Sequence, residues 1–196
     1  MSEDSRATLL ALLARHAYQR AEPGKPFQLA SGARSHEYLD CRQALGLAAA
    51  KRALGRLVRG ALVAEVQAVG GLTLGADPVA NAAVHESAGT ERELRAFWVR
   101  KDAKDHGRGR RIEGPVSAGD RVCVVDDVVT SGGSTIKAIE ACREGGLEVI
   151  QVLAVVDREA GGLDSIQRAA GAGVPVTALF SLEAIRGAWE EAHGGL

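Results

Sequence analysis

The sequence predicts an α/β fold whose sheet is largely parallel and covered by helices on both faces. Three observations carry that prediction. Short valine- and alanine-rich runs recur along the chain, apolar from end to end rather than alternating, as strands buried on two faces are. Between them lie segments whose apolar residues repeat at helical spacing. Strand-like and helix-like segments alternate through most of the chain, the pattern of βαβ units.

Taken in order, Leu9, Leu10, Leu12, Leu13 and Tyr18 share one broad helical face, which predicts a helix over 5–20. The stretch "AEPGKPF" breaks it with two prolines and a glycine. Residues 27–40, "FQLASGARSHEYLD", read as extended, with a turn at Ser31 and Gly32. A second helix is expected over 44–59, with Lys51, Arg52, Arg56 and Arg59 mostly on its polar face. Strands are expected at 65–71, 94–100, 122–127, 148–158 and 174–180. Helices are expected at 76–88, 134–144, 162–173 and 182–192, the first with Pro78 in its opening turn, where proline is tolerated. The N-terminal part departs from the alternation, so a small cap is expected there.

The 196 residues, 46% of them apolar, suit one domain with a substantial core. Lys plus Arg number 24 and Asp plus Glu 25, a formal charge of −1, so no global basic excess points to nucleic acid. Any anion site must be local. Cys41, Cys123 and Cys142 are an odd set without paired spacing, which favours reduced structural thiols in a cytoplasmic setting. The N-terminal stretch has no basic region before its apolar run, and that run is too short and interrupted for a signal or a membrane span.

In such a sheet, ligands bind beyond the carboxyl ends of the strands. Four polar segments fall at those ends: "GGLTLGADP", "RKDAKDHGRGRRIEG", "DDVVTSGGST" and "DRE". In "TSGGST", Gly132 and Gly133 permit a tight turn, Thr130, Ser131, Ser134 and Thr135 add hydroxyls, and the following helix offers free N–H groups. That combination suits a phosphate. An ordinary strand–helix turn with a serine cap would use the same residues. Asp126 and Asp127, placed just before this cradle, would repel a bare anion. They are explained if they meet the hydroxyls of a sugar attached to that phosphate.

"VCVVDDVVTSGGST" resembles the signature of the type I phosphoribosyltransferases, which bind 5-phosphoribosyl-1-pyrophosphate. The resemblance implies that family's fold: a parallel α/β sheet with an N-terminal hood and a mobile catalytic loop. On that reading residues 1–196 form a single phosphoribosyltransferase domain, with about residues 1–40 contributing to the cap over the base site. It also implies that Asp126 and Asp127 hold the ribose hydroxyls and that Thr130, Ser131, Gly132, Gly133 and Ser134, with Val128 and Val129 leading into them, wrap the 5-phosphate.

The segment "VRKDAKDHGRGRRIEG" is long, basic and interrupted by glycines, and such connections are usually functional or mobile. Its Arg-Lys-x-x-Lys-x-His-Gly pattern is similar to the catalytic loop of the orotate phosphoribosyltransferases, which closes over pyrophosphate, often across a dimer interface. Arg100, Lys101, Lys104 and His106 match the loop's functional positions, and with Asp127 they are the implied catalytic residues. No role transfers to Arg108, Arg110 or Arg111. "FQLASGARSHEYLD" resembles the segment beside the base in that family, which assigns Tyr38 and Leu39 to orotate. "VVDRE" resembles the segment whose arginine meets the orotate carboxylate, here Arg158, with Thr130 near the base.

Two positions depart from the family pattern. Gly75 stands where many members carry a pyrophosphate-loop lysine, leaving the backbone amides of Leu74 and Gly75 for that contact. A further family lysine falls on Pro23 by counting back from the Ser-Gly turn, with Lys25 displaced by two and retained as a candidate. The resemblance implies Mg²⁺, reached by Asp126 and Asp127 through water or substrate. It also implies small-molecule substrates, a homodimer in which the loop 100–114 reaches the neighbouring site, and no nucleic-acid or membrane partner. A transferase acting on another base shares the ribose and phosphate motif, and a non-catalytic sensor of phosphoribosyl pyrophosphate could keep it too. Residues 161–196 carry no motif.

Overall fold

The structure, a computed structural model, describes residues 3–28, 34–101 and 111–194. The expected turn at Ser31 and Gly32, and Lys104, His106, Arg108 and Arg110, lie outside the described residues.

Helix α1 (Glu3–His16) buries Leu9 and Leu13 completely but stops before the predicted end at 20. Residues beyond it form β1 (Tyr18–Arg20), then β2 (Phe27–Gln28), β3 (Arg34–Ser35) and β4 (Glu37–Leu39). Strand β1 pairs antiparallel with β4, Tyr18 opposite Leu39, and β2 pairs with β3. The helical spacing of Tyr18 was local; its strand partner Leu39, far along the chain, overrode it.

The helix expected over 44–59 is two helices, α2 (Cys41–Leu45) and α3 (Ala48–Ala61). Asp40 caps α2 by accepting from the Arg42 N–H, and the Gly46 N–H closes it onto Arg42 O. In α3, Ala50, Ala53, Leu54, Leu57 and Val58 face the core while Lys51, Arg52 and Arg56 are exposed, as the periodicity predicts.

The rest alternates: β5 (Ala68–Leu72), α4 (Ala76–Ser87), β6 (Arg95–Val99), β7 (Ile112–Glu113), β8 (Arg121–Val129), α5 (Gly133–Glu144), β9 (Glu148–Asp157), α6 (Gly162–Ala170), β10 (Val176–Ser181) and α7 (Leu182–Ala192). They form one sheet in the order β10-β9-β8-β5-β6-β7. Every pair is parallel except β6 with the short edge strand β7. The strand order reverses between β5 and β8, the kind of crevice where open α/β sheets bind ligands.

The pleat sorts the core. On β8, Cys123 and Val125 point into the layer of α1, α3, α4 and α7, while Val122 and Val124 point into the layer of α5 and α6. On β9, Leu153 and Val155 take the first side, Val152 and Ala154 the second. Both faces are dry, which is why these strands read as continuous apolar runs. The three cysteines are buried and free. Among the described residues no helix is long and apolar enough to cross a membrane.

Candidate active site

Strand β8 runs two residues further than predicted, so Asp126 and Asp127 lie inside it rather than at its end. Parallel pairing continues through Val128–Val156 and Val129–Asp157 and holds both carboxylates on a rigid element. The pleat then divides their roles. Asp126 shares the parity of Val122 and Val124 and turns toward α5, where its Oδ2 accepts from Ser134 Oγ and Thr135 Oγ1, each at 2.7 Å. It is 4% exposed, and its Oδ1 accepts from the Asp127 N–H. Asp127 shares the parity of Cys123 and Val125. Its Oδ1 accepts from the Val128 N–H at 2.9 Å. Burial and the neighbouring Asp126 charge push its carboxyl up to about 6.

Gly132 begins the cradle in the left-handed region, φ 83°. A Cβ there would lie 2.8 Å from Ile166 Cγ1 and 2.9 Å from Gly162 O, so conformation and packing on α6 both require glycine. Its carbonyl accepts the Ile136 N–H, which starts α5 and leaves the preceding N–H groups aimed outward. Thr130, Ser131, Gly133 and Ser134 are exposed around them. These groups stand at the positive pole of a twelve-residue helix, an arrangement that suits an anion.

The turn after β5 closes the site from the other side. Leu74 is 70% exposed, and the Thr73–Leu74 peptide is cis. Gly75 sits directly against the acidic pair: a Cβ would fall 2.5 Å from Asp127 Oδ1 and 3.0 Å from Asp126 Oδ1. No side chain fits at that position without displacing a carboxylate.

These elements enclose a cleft of about 1390 Å³. Of the residues singled out from the sequence, Tyr38, Leu39, Leu74, Gly75, Arg100, Lys101, Asp126, Asp127, Val128 and Ser134 line it. Phe27 packs on Tyr38, ring centres 5.5 Å apart, so the N-terminal strands bring an aromatic wall to the cleft. Thr130, Ser131, Gly132 and Gly133 lie beside it on the cradle. Val129 is buried in the core, so its side chain does not reach the cleft. Arg158 follows β9, its N–H donating to Val129 O, and its charge helps hold the Glu37 carboxyl down. It stands toward the N-terminal strands rather than in the cleft wall. Lys25 is exposed, paired with Glu22 at 2.7 Å, and does not line the cleft.

The cleft also holds residues that sequence reasoning missed. Asp40, Arg42, Asp77, Trp98 and Glu113 are in its wall. Asp77 Oδ1 is buried without a hydrogen-bond partner among the described residues, and burial raises its carboxyl. Asp77 and Glu113 lie inside the recognised polar segments and Trp98 beside one, but their places in the wall were not signalled; that of Glu113 depends on the pairing of β7, which two residues cannot show.

Comparison with known proteins agrees with this geometry. Residues 70–171 match the phosphoribosyl transferase domain family. The chain is 42% identical over 176 residues to the orotate phosphoribosyltransferase of Rhodopirellula baltica, covering 84% of this chain and 89% of the relative. It is 43% identical over 183 residues to that of Corynebacterium glutamicum, covering 93% and 94%. Among solved structures, the Mycobacterium tuberculosis H37Rv orotate phosphoribosyltransferase bound to inorganic phosphate superposes with a TM-score of 0.78 at 34% identity, over 93% of this chain and 99% of that one. The same enzyme in complex with 5-phospho-α-D-ribosyl 1-diphosphate gives 0.73 at 33% identity, over 94% and 93%.

Proposed function

The chain belongs to the orotate phosphoribosyltransferases, and on that premise we propose that the cleft between β5 and β8 is where it transfers a phosphoribosyl group from 5-phosphoribosyl-1-pyrophosphate to orotate. The products are orotidine 5'-monophosphate and pyrophosphate, a step of pyrimidine synthesis. The observation that carries the assignment is the meeting of three parts at one crevice: the cradle at the start of α5, the acidic pair of β8, and the backbone turn 73–75.

Breaking the anomeric C–O bond builds positive charge on the ribose and negative charge on pyrophosphate, a transition state of oxocarbenium type. A ring nitrogen of orotate supplies the electron pair, so the protein needs no nucleophile. It positions the reactants and stabilises the leaving group. Thr130 to Ser134 and the free N–H groups of α5 take the 5-phosphate. Asp127 accepts from the ribose hydroxyls. Asp126 supports it by fixing Ser134 and Thr135. The amides of Leu74 and Gly75 meet the pyrophosphate, with Arg100, Lys101, Lys104 and His106 stabilising its departure. Tyr38, Leu39 and Thr130 border the base, and Arg158 presents its planar fork to the orotate carboxylate.

No cluster of three or more metal-ligating side chains is found among the described residues. Asp127 Oδ2 nonetheless makes no hydrogen bond among them, beside a crowded pair of carboxylates. That donor set fits Mg²⁺ held mostly by substrate and water oxygens, with Asp126 and Asp127 as indirect partners. Bound there, the ion neutralises phosphate charge. The chain is read as one domain with residues 1–40 in the cap, acting in the cytoplasm as a homodimer whose loop 100–114 serves the neighbouring site.

The test is an ultraviolet assay of orotate consumption with phosphoribosyl pyrophosphate, with and without Mg²⁺ and against a panel of other bases. Orotate alone is expected to be consumed, and Lys104→Ala to lower turnover by orders of magnitude with the fold intact. Turnover of a purine or uracil in its place would overturn the base assignment.

A further inference from the structure

We propose that Arg42 binds the pyrophosphate of the substrate, its guanidinium clamped by Asp40 and offered to the cleft opposite the turn 73–75. The proposal rests on the phosphoribosyl pyrophosphate reading above.

The charge balance of the cleft poses the question. Its described wall carries the carboxylates of Asp40, Asp77, Glu113, Asp126 and Asp127, against only three cations, Arg42, Arg100 and Lys101. A polyanionic substrate needs each of those cations. Arg100 and Lys101 both follow the end of β6, and the third cation of the described wall, Arg42, comes from α2. The turn 73–75 offers backbone only, and a Cβ on Gly75 would have to move the Asp127 carboxylate. Asp40 chiefly keeps Arg42 charged, and the Asp127 carboxylate adds to that effect.

The geometry is that of a prepared anion ligand. Arg42 Nε donates to Asp40 Oδ1 at 2.7 Å and one Nη to Oδ2 at 3.0 Å. Asp40 is itself fixed as the cap of α2 and its side chain is only 13% exposed, whereas that of Arg42 is 59% exposed. A guanidinium has five N–H donors, so the clamp leaves about three for a ligand while setting the plane of the fork. A purely local role, neutralising Asp40 at a helix start, would use the same two bonds and is the reading to be excluded.

The experiment compares wild type, Arg42→Gln and the double variant Asp40→Asn/Arg42→Gln by calorimetry with Mg²⁺-pyrophosphate and by steady-state kinetics. Asparagine can still cap α2. Arg42→Gln is expected to weaken pyrophosphate binding about tenfold or more and to raise KM for phosphoribosyl pyrophosphate similarly. KM for orotate and the melting temperature should stay near wild type. The double variant should stay weak. Binding and KM within twofold of wild type in Arg42→Gln, or recovery in the double variant, would overturn the proposal, as would a wild type that binds no pyrophosphate. If the wild type binds pyrophosphate through Arg42 yet does not consume orotate, the base assignment fails and this one stands.

Discussion

Arg186 on α7 donates from Nε and Nη2 to both carboxylate oxygens of Glu37 on β4, at 2.6 and 2.9 Å, across 149 residues of sequence. Tyr18 on β1 donates its hydroxyl to the same Glu37 at 2.5 Å and packs against Trp189 of α7, ring centres 5.6 Å apart. The C-terminal helix thereby fixes the strand that carries Tyr38 and Leu39 to the cleft.

Arg186→Ala is therefore expected to loosen the base side of the site. Both partners are partly exposed, so the stability cost should be near 1 kcal/mol, a melting shift of roughly 2–4 °C. The sharper readout is a rise in KM for orotate, with KM for phosphoribosyl pyrophosphate little changed. The arginine bond holds the Glu37 carboxyl below its ordinary value, so this contribution is present at neutral pH and is lost as pH falls below about 4.5 through the depressed value. Burial pushes the Tyr18 hydroxyl up to about 12, so its contribution fades instead as pH rises past about 10. Thermal melts across both ranges would check the two signs.

Gly75→Ala places a methyl 2.5 Å from Asp127 Oδ1. The backbone at Gly75 is helical, φ −59°, so the effect is steric and not conformational. The carboxylate or the turn must shift, and kcat/KM for phosphoribosyl pyrophosphate is expected to fall about 10- to 100-fold, or 1.4–2.8 kcal/mol. A value within twofold of wild type would show that the cleft absorbs the methyl.

Asp127→Asn should separate stability from function. The raised carboxyl means that the folded protein binds the proton more tightly than the unfolded chain, so ionisation at pH 7 works against folding. The ligand-free wild type should gain stability from this group as pH falls from 7 toward 4. The variant should be more stable than wild type at pH 7 by roughly 1–3 kcal/mol, yet bind phosphoribosyl pyrophosphate more weakly. Denaturant melts and calorimetry measure the two effects independently; unchanged affinity would remove Asp127 from the ribose.

Thr135→Val deletes a buried hydroxyl that donates to Asp126, at nearly constant shape. Asp126 keeps Ser134 as a partner, so a loss of about 1 kcal/mol is expected. KM for phosphoribosyl pyrophosphate should rise with it, because Asp126 acts by holding the start of α5. A stability loss with unchanged KM would make the contact purely structural.

The sequence by itself determined the parts that depend on local chemistry. Period and composition located β5, β6, β8, β9 and β10 and the helices between them, because strands dry on both faces must be apolar throughout. Glycine spacing and hydroxyls located the turn into α5 at Gly132–Ser134, because its left-handed backbone and its close packing on α6 need glycine. What tertiary structure decided was pairing. Tyr18 continued a helical pattern and became a strand residue because β4 was there to pair with it. Ile112 and Glu113 are too few to show any period, and β6 made them an edge strand. The adjacent aspartates looked equivalent, and the pleat turned Asp126 onto α5 while leaving both in the cleft wall. Arg42 and Arg186 belong to no motif. The role of Arg186 comes from what stands across from it, Glu37, 149 residues away in the chain and absent from its own neighbourhood; Arg42 pairs locally with Asp40, and only the fold sets it in the cleft wall.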